Sequence, residues 1–479
     1  MSMPAAIFAA KLPGTGTIIA VLFGSLIVVA ALALLMRRRP EALPMLAILA
    51  LPFRLPISAE GRTVNLLIPL YLVVAAGTVA HLLPRVLAPA RERGPRSPSA
   101  LAGAGERVSL REPASWLSPR GLGWVLLATV ALYALQTSYS SDPAKAAANL
   151  AFFYVPFGLL FLLLRDVQWT RELLLRCLGI AIALAVLFAG VGFIEYARKS
   201  LFLNPKVVAA NEFDNYFRVN SVFFDPNIYG RFLALMMIAL ATVVLWSGRR
   251  RDVLIAAGVL AWLMGGLVTS FSQSSIAALL LGLAVLAAWR WDVRGALYAA
   301  GAVLALGIAL LLLAPASLHF GLKGSGGSTS NATSGRTKLI SGGLGLFGGR
   351  PLQGYGPGSF EKEYKLHNGN ANNQNTTSAS HTIPVTIAAE QGILGLGLYI
   401  LLLASALFVL FGNAGRSPPR IAIAACFAAL VLHTWTYADF LEDPMTWTLL
   451  GVGVALAGAA RTTPDVLAGT AGPGRASSF

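Results

Sequence analysis

The sequence predicts an all-α fold, a polytopic transmembrane bundle of about 12–13 spans with one large polar loop. Three observations predict it. The chain has 479 residues, of which 56% are hydrophobic and only 12% charged, too few charges for a soluble fold of this length. Apolar runs recur along nearly the whole chain, and about 20 such residues cross a hydrocarbon core of roughly 30 Å as a helix. The runs are rich in Leu, Ala and Val and lack strict alternation, so helices are favoured over barrel strands, the other structure that satisfies its own backbone in lipid.

Thirteen segments follow in order: 17–36, 43–53, 64–83, 122–137, 148–164, 173–194, 229–246, 253–270, 274–289, 296–314, 384–411, 420–436 and 445–460. The second is short and flanked by Pro, which also suits a re-entrant segment. If all thirteen cross, one set of loops holds Arg37–Arg39, the 84–121 linker, Arg165 and Arg171, Arg249–Arg251, Arg290 and Arg294, Arg416 and Arg420, and Arg461. Short cytoplasmic loops carry this excess of Arg. The opposite, extracytoplasmic set is 54–63, 138–147, 197–228, 315–383 and 437–444. The expected organisation is therefore helices 1–10 over residues 1–314, a large outer loop over 315–383, and helices 11–13 over 384–461. A disordered cytoplasmic tail takes residues 462–479.

The run from Thr17 to Met36 is longer than a signal-peptide core, and its Arg residues follow it. It reads as a retained first span with its N-terminus outside. The 84–121 segment, rich in Arg, Pro, Ser and Gly, reads as a solvated linker that can also touch anionic headgroups. Cys177 and Cys426 sit within apolar runs, without metal or disulfide spacing, and read as small core residues. The net charge of +16 is explained by the loop arginines, so no nucleic-acid partner is expected.

Two outer segments carry chemistry. The first ends in Arg218, followed by Asp225-Pro226-Asn227, and leads into a span. Asp and Asn cap and turn, and Pro presets the helix entry. Arg218 lies where the positive-inside bias does not explain it, and an unpaired buried Arg is costly. Arg231, one turn into the span, is placed to snorkel outward. The second segment is the long loop. Gly324–Gly335 is expected to be flexible, and Leu339–Phe347 to form a short amphipathic helix at the membrane surface. Gly354, Gly356 and Gly358 give a tight turn; a nucleotide cradle would need a strand before it and a cytoplasmic address. His381 stands at the mouth of the next span, and imidazole takes a proton near neutral pH. Guanidinium groups bind phosphate bidentately, so outer arginines near a histidine suit an anionic lipid headgroup such as a diphosphate.

With these residues in view, the chain resembles the O-antigen ligase and polymerase superfamily of bacterial membrane glycosyltransferases. The likeness is carried by Arg218 through Gly230, by Ser334-Gly335-Arg336 with Phe347 and Pro351–Phe360, and by His381 with Glu390-Gln391-Gly392-Ile393-Leu394-Gly395. The turn Thr269–Ser275 adds to it, and the whole covers most of residues 120–460. The resemblance implies a GT-C-like bundle in the inner (cytoplasmic) membrane with its active site on the extracytoplasmic face. It implies transfer of a glycan from a polyprenyl (undecaprenyl) diphosphate carrier to an acceptor sugar hydroxyl, inverting and without metal or other cofactor. The partners implied are that lipid-linked donor, a glycan, glycolipid or other cell-envelope acceptor, and membrane lipids. Arg218 and Arg336 would hold the donor diphosphate and steady the leaving group, and His381 would position or deprotonate the acceptor. Asp225, Asn227, Tyr364 and Glu390 would support the site. Two positions depart from the family pattern: Thr382 stands where Asn is common, and Gln273 where Arg is common. Arg231 or Lys338 would then replace the missing phosphate contact.

The same residues serve a ligase or a polymerase, which differ in acceptor; the motif around His381 favours the ligase. A transporter or flippase for the same lipid is the alternative of another class. Transporters gather ionisable groups and broken helices near the midplane, whereas the spans here are poor in charge.

Overall fold

The computed structural model describes residues 15–59, 62–87, 116–202, 217–291, 328–367, 382–412, 414 and 417–459. Nine helices among them are long and apolar enough to cross a membrane. They are α1 (Thr15–Arg38), α3 (Ile68–Leu87), α5 (Pro143–Arg165), α6 (Arg171–Arg198), α7 (Pro226–Trp246), α8 (Arg250–Thr269), α9 (Gln273–Arg290), α12 (Ile383–Phe411) and α13 (Pro418–Trp435). The chain is a multi-pass membrane protein. Three further helices lie where shorter apolar segments were expected: α2 (Ala42–Ala50), α4 (Pro119–Thr137) and α14 (Pro444–Ala459). At 1.5 Å per residue, α2 is only about 14 Å long and cannot cross alone. The expected span at 296–314 lies outside the described residues.

The all-α expectation needs one amendment. Leu55–Ala59 (β1) pairs antiparallel with Arg62–Leu66 (β2), with Ile57 opposite Val64. Pro56 blocks a helix, and Ile57, Thr63 and Val64 favour extended backbone. The hairpin carries the chain on from the short α2 to α3.

Helix α7 is the centre of the bundle: 72% of its most apolar window is buried inside the protein, against 11% for the peripheral α1. It packs on α8, α9 and α13, while α9 packs on α13, α5 on α14, and α4 on α12. Small residues let these helices close: a Cβ on Gly282 of α9 would lie 2.2 Å from Ile238 Cδ1 of α7. Without a hydrophobic drive between helices in lipid, such close packing supplies much of the association energy.

Contacts sort the helix ends into two groups. Arg85 pairs with Asp166, Arg176 with Glu41 at 2.6 Å, and Arg290 Nε donates to Leu245 O. These join the ends of α3, α5, α6, α7 and α9, with the start of α2, at one face. The opposite ends meet the 138–142, 217–225, 270–272, 350–359 and 436–443 segments, whose contacts are given below.

Beyond the 292–327 stretch comes α10 (Ser328–Gly349), then a glycine-rich turn and α11 (Phe360–His367). The flexible stretch expected over 324–335 is therefore helical from Ser328, and the expected 339–347 helix is part of this 22-residue one. The helix has something to dock on. Leu346 and Leu339 join Tyr355, Phe360, Tyr364 and Ala389 of α12 in a small separate core.

Candidate active site

The site is built around the entry to α7. Asp225 caps the helix, its Oδ1 accepting from Asn227 N at 2.6 Å, with Pro226 in the first turn. Both expectations for this turn hold locally. The cap leaves the Asn227 side chain to face inward. Its Oδ1 accepts from Arg218 Nη2 at 3.2 Å and from Ser272 Oγ at 2.9 Å. Arg218 Nε donates to Ser270 O, and Val219 N to Thr269 O, both at 3.2 Å. The 217–220 segment is thus stitched to the turn between α8 and α9.

That turn is a nest of hydroxyls. Ser272 caps α9, and its Oγ lies 2.8 Å from Ser275 Oγ and 3.2 Å from Ser274 Oγ. Both of those serines reach His433 Nε2 on α13, at 3.1 and 3.2 Å. His433 is fully buried. Gly230 makes room: a Cβ there would stand 2.7 Å from Ser275 Oγ.

Arg231 is where the structure departs from expectation. It does not snorkel. Its side chain is 2% exposed, and Nη2 pairs with Asp443 Oδ2 at 2.5 Å. Nη1 donates to the carbonyls of Ala438 and Asp439 at 3.3 and 3.4 Å. The reason is position: one turn into the central helix, Arg231 faces the 436–443 segment rather than solvent, and a carboxylate is at hand. Asp443 serves twice, since its Oδ1 also caps α14 by accepting from Met445 N at 2.8 Å.

The 436–443 segment holds more acids. Glu442 accepts from Asn149 Nδ2 at 3.0 Å, and the same amide donates to Tyr133 Oη at 3.1 Å. Burial pushes the Glu442 carboxyl up to about 8, aided by the carboxylates of Asp439 and Glu390 and opposed by Lys145 and Arg54. Burial likewise raises Asp439, against the pull of Arg231 and Arg54. Tyr437 is raised by burial and by Asp225 and Asp439; its hydroxyl bonds to Asp225. A narrow pocket lies beside this cluster, lined by Arg54, Phe223, Phe232, Arg231, Asp443 and Met445 among others.

The glycine-rich turn docks on a break in α12. Gly392 adopts φ 66°, ψ −162° within that helix, which frees backbone groups that must find partners inside a membrane protein. Tyr355 N donates to Ala389 O at 3.1 Å, Gly356 N to Glu390 O at 2.7 Å, and Ile393 N to Pro351 O at 2.8 Å. Gln136 Nε2 reaches Gln391 O at 3.2 Å. The Glu390 side chain, buried, accepts from Phe360 N at 3.0 Å at the start of α11, and from Gly358 N. Ser140 Oγ donates to Pro357 O at 2.7 Å, and Lys145 pairs with Glu361 at 3.3 Å. The turn is structural, as its sequence suggests.

The predicted site residues fall into three groups. Arg218, Asp225, Asn227 and Arg231 share the network at the start of α7. Glu390 and Tyr364 hold the docked turn, Tyr364 by stacking on Phe360 at 5.7 Å. Arg336 lies on α10, and the Lys338 side chain there is exposed. His381 lies outside the described residues. The sequence reading passed over His433, the acids at 439, 442 and 443, and Arg54. Signals existed. An imidazole inside an apolar span invites a functional reading, and a buried Arg231 requires a counter-ion that the acidic 437–444 loop supplies.

Residues 258–400 match the family model described as O-antigen ligase. Over this stretch the chain is similar to the O-antigen ligase family, which supports the resemblance carried by its motifs. The matched stretch takes in the serine turn, the glycine-rich turn and the break in α12, but under a third of the chain. Arg218, Arg231 and the acidic segment lie outside it and meet it in space. The matched family is one of glycosyltransferase-type enzymes, whose substrates are in general a lipid-linked glycan and an acceptor. A search of curated proteins finds no match.

Proposed function

We propose that the protein is an O-antigen ligase-like glycosyltransferase. It moves a glycan from a polyprenyl diphosphate carrier to an acceptor sugar hydroxyl outside the cytoplasm, without metal and with inversion. The observation that carries the reading is the anchoring of Arg218 to the family-matched turn at 269–275, through Asn227, Ser272 and the Ser270 carbonyl. A guanidinium fixed in this way beside the matched turn is placed to bind phosphate oxygens bidentately.

In this reading Arg218 and Arg336 grip the diphosphate and stabilise its growing charge as the anomeric bond breaks. His381 takes the acceptor proton, and attack from the opposite face inverts the anomeric centre. The exposed Lys338, rather than the ion-paired Arg231, is the better replacement for the cation missing at Gln273. Arg231 instead fixes the 436–443 segment. The positive-inside bias favours the Arg-lined helix ends facing the cytoplasm, which supports a site on the outer face of the cell membrane.

The test is transfer by purified protein from a polyprenyl-diphosphate-linked oligosaccharide. Arg218→Ala and His381→Ala variants that fold are expected to lose at least a hundredfold in rate. Normal transfer by either removes that residue's role. Movement of the lipid across vesicles with no glycosidic bond formed would replace the enzyme by a flippase. Mass spectrometry of the product separates single transfer, the ligase outcome, from chain growth, the polymerase outcome.

A further inference from the structure

A buried histidine has no part in the proposed chemistry, yet a continuous chain of hydrogen bonds ties it to the residue that does. We infer that His433 is a positioning residue: through Ser274, Ser275 and Ser272 it fixes the Asn227 carboxamide, and so sets the aim of Arg218. The inference rests on the proposed role of Arg218.

The chain is short and has one consistent direction. His433 Nδ1 has no hydrogen-bond partner. A bare, unbonded ring nitrogen costs less when buried than an unbonded N–H. The proton therefore sits on Nε2, which donates to the hydroxyls of Ser275 and Ser274 at 3.1 and 3.2 Å. Ser275 Oγ then donates to Ser272 Oγ, its nearest acceptor at 2.8 Å, and more weakly toward Asn227 O at 3.3 Å. Ser274 donates to Ser272, 3.2 Å away. Ser272 donates to Asn227 Oδ1 at 2.9 Å, and Arg218 Nη2 donates to the same oxygen at 3.2 Å. Every hydroxyl along this path has its donor and acceptor roles assigned without conflict.

Geometry explains why the histidine matters. Asn227 Oδ1 and Ser270 O are two of the anchors on the Arg218 guanidinium, and both belong to the pair of turns that the serines hold. Ser272, Ser275 and His433 are fully buried, so no water competes for these bonds, and a polar chain in a dry setting acts as a unit. Three helices meet here. Asn227 begins α7, the serines begin α9, and His433 ends α13. The groups facing His433 from these elements are the serines, the Asn227 backbone and Arg231 of α7, and Tyr437, whose ring centroid lies 5.7 Å away. His433 thus locks the relative placement of three spans at the point where Arg218 is anchored.

The test compares His433→Leu, His433→Gln and Ser275→Ala in the transfer assay, alone and combined with Arg218→Ala. A glutamine amide can still donate to the serines; leucine cannot. His433→Leu is expected to lose about tenfold in kcat/KM, with the loss in KM for the lipid-linked donor and little change in KM for the acceptor. His433→Gln should recover most of it, and Ser275→Ala should show a smaller loss of the same kind. In the Arg218→Ala background His433→Leu should add nothing, because residues acting as a unit are non-additive. If His433→Leu folds poorly, Ser275→Ala carries the comparison. Full activity of His433→Leu beside an inactive Arg218→Ala overturns this inference alone. Equal losses for Leu and Gln, or losses that add to that of Arg218→Ala, overturn it also. Normal activity of Arg218→Ala overturns the proposed site, and the inference with it.

Discussion

Removing one partner of the Arg231–Asp443 pair should destabilise the bundle far more than removing both. The two side chains are 2% and 3% exposed and lie 2.5 Å apart. In Arg231→Met, Asp443 keeps its charge in a dry setting, and the carbonyls of Ala438 and Asp439 lose their donors. Breaking a buried pair in this way costs about 3–5 kcal/mol. Asp443→Asn keeps an oxygen able to cap Met445 N, so it isolates the charge; it leaves Arg231 unpaired and should cost a similar amount. The double variant removes both charges. Replacing a buried pair by uncharged groups of similar volume is often neutral or stabilising by about 1–4 kcal/mol. Here the two orphaned carbonyls subtract from that, so the double variant should fall close to the wild type. The assay is the midpoint of detergent-driven unfolding, followed by tryptophan fluorescence. Trp447 is a useful reporter, being 1% exposed and hydrogen-bonded to Leu441 O at the foot of the same segment. If the single variants each cost under about 1 kcal/mol, or if their effects add in the double variant, the pair is not the clamp described here.

Three further outcomes are expected. Gly356→Ala and Gly392→Ala should block folding or lower the unfolding temperature sharply, because each requires positive φ and a Cβ would stand 2.2 Å from Ser140 Cα or 2.3 Å from Leu352 O. Gly345→Ala on α10, with no atom within 4 Å, is the control, and membrane expression with thermal unfolding reads all three. The Glu442 carboxyl, raised from 4.5 to about 8, favours the folded state fully below pH 4.5 and loses that contribution as pH rises through 8. Glu442→Gln should therefore flatten the fall in unfolding temperature between pH 5 and 9; an unchanged slope would mean another group titrates. Glu390→Ala strips the acceptor from Phe360 N and Gly358 N, a loss of about 1–3 kcal/mol for buried donors left unpaired. It should show first as proteolysis within 350–367.

The sequence by itself determined the class of this protein, because bilayer thickness sets the length of an apolar run and leaves helices as its only open form. It also marked the Asp225-Pro226-Asn227 cap, where side chain and backbone interact within one turn, and the glycine turn, where positive φ is a local demand. The family resemblance rested on the same local motifs, and residues 258–400 match that family. What only the tertiary structure decided is how charges and hydroxyls pair across spans. Arg231 and Asp443 stand 212 positions apart in the chain, and Ser275 and His433 158. No periodicity connects such residues; they meet because α7, α9, α13 and α14 pack side by side. Arg231 shows the difference most directly. From its place near a helix end it looked free to reach the surface, and only the packing of a neighbouring acidic segment turned it into a buried cation with a fixed partner.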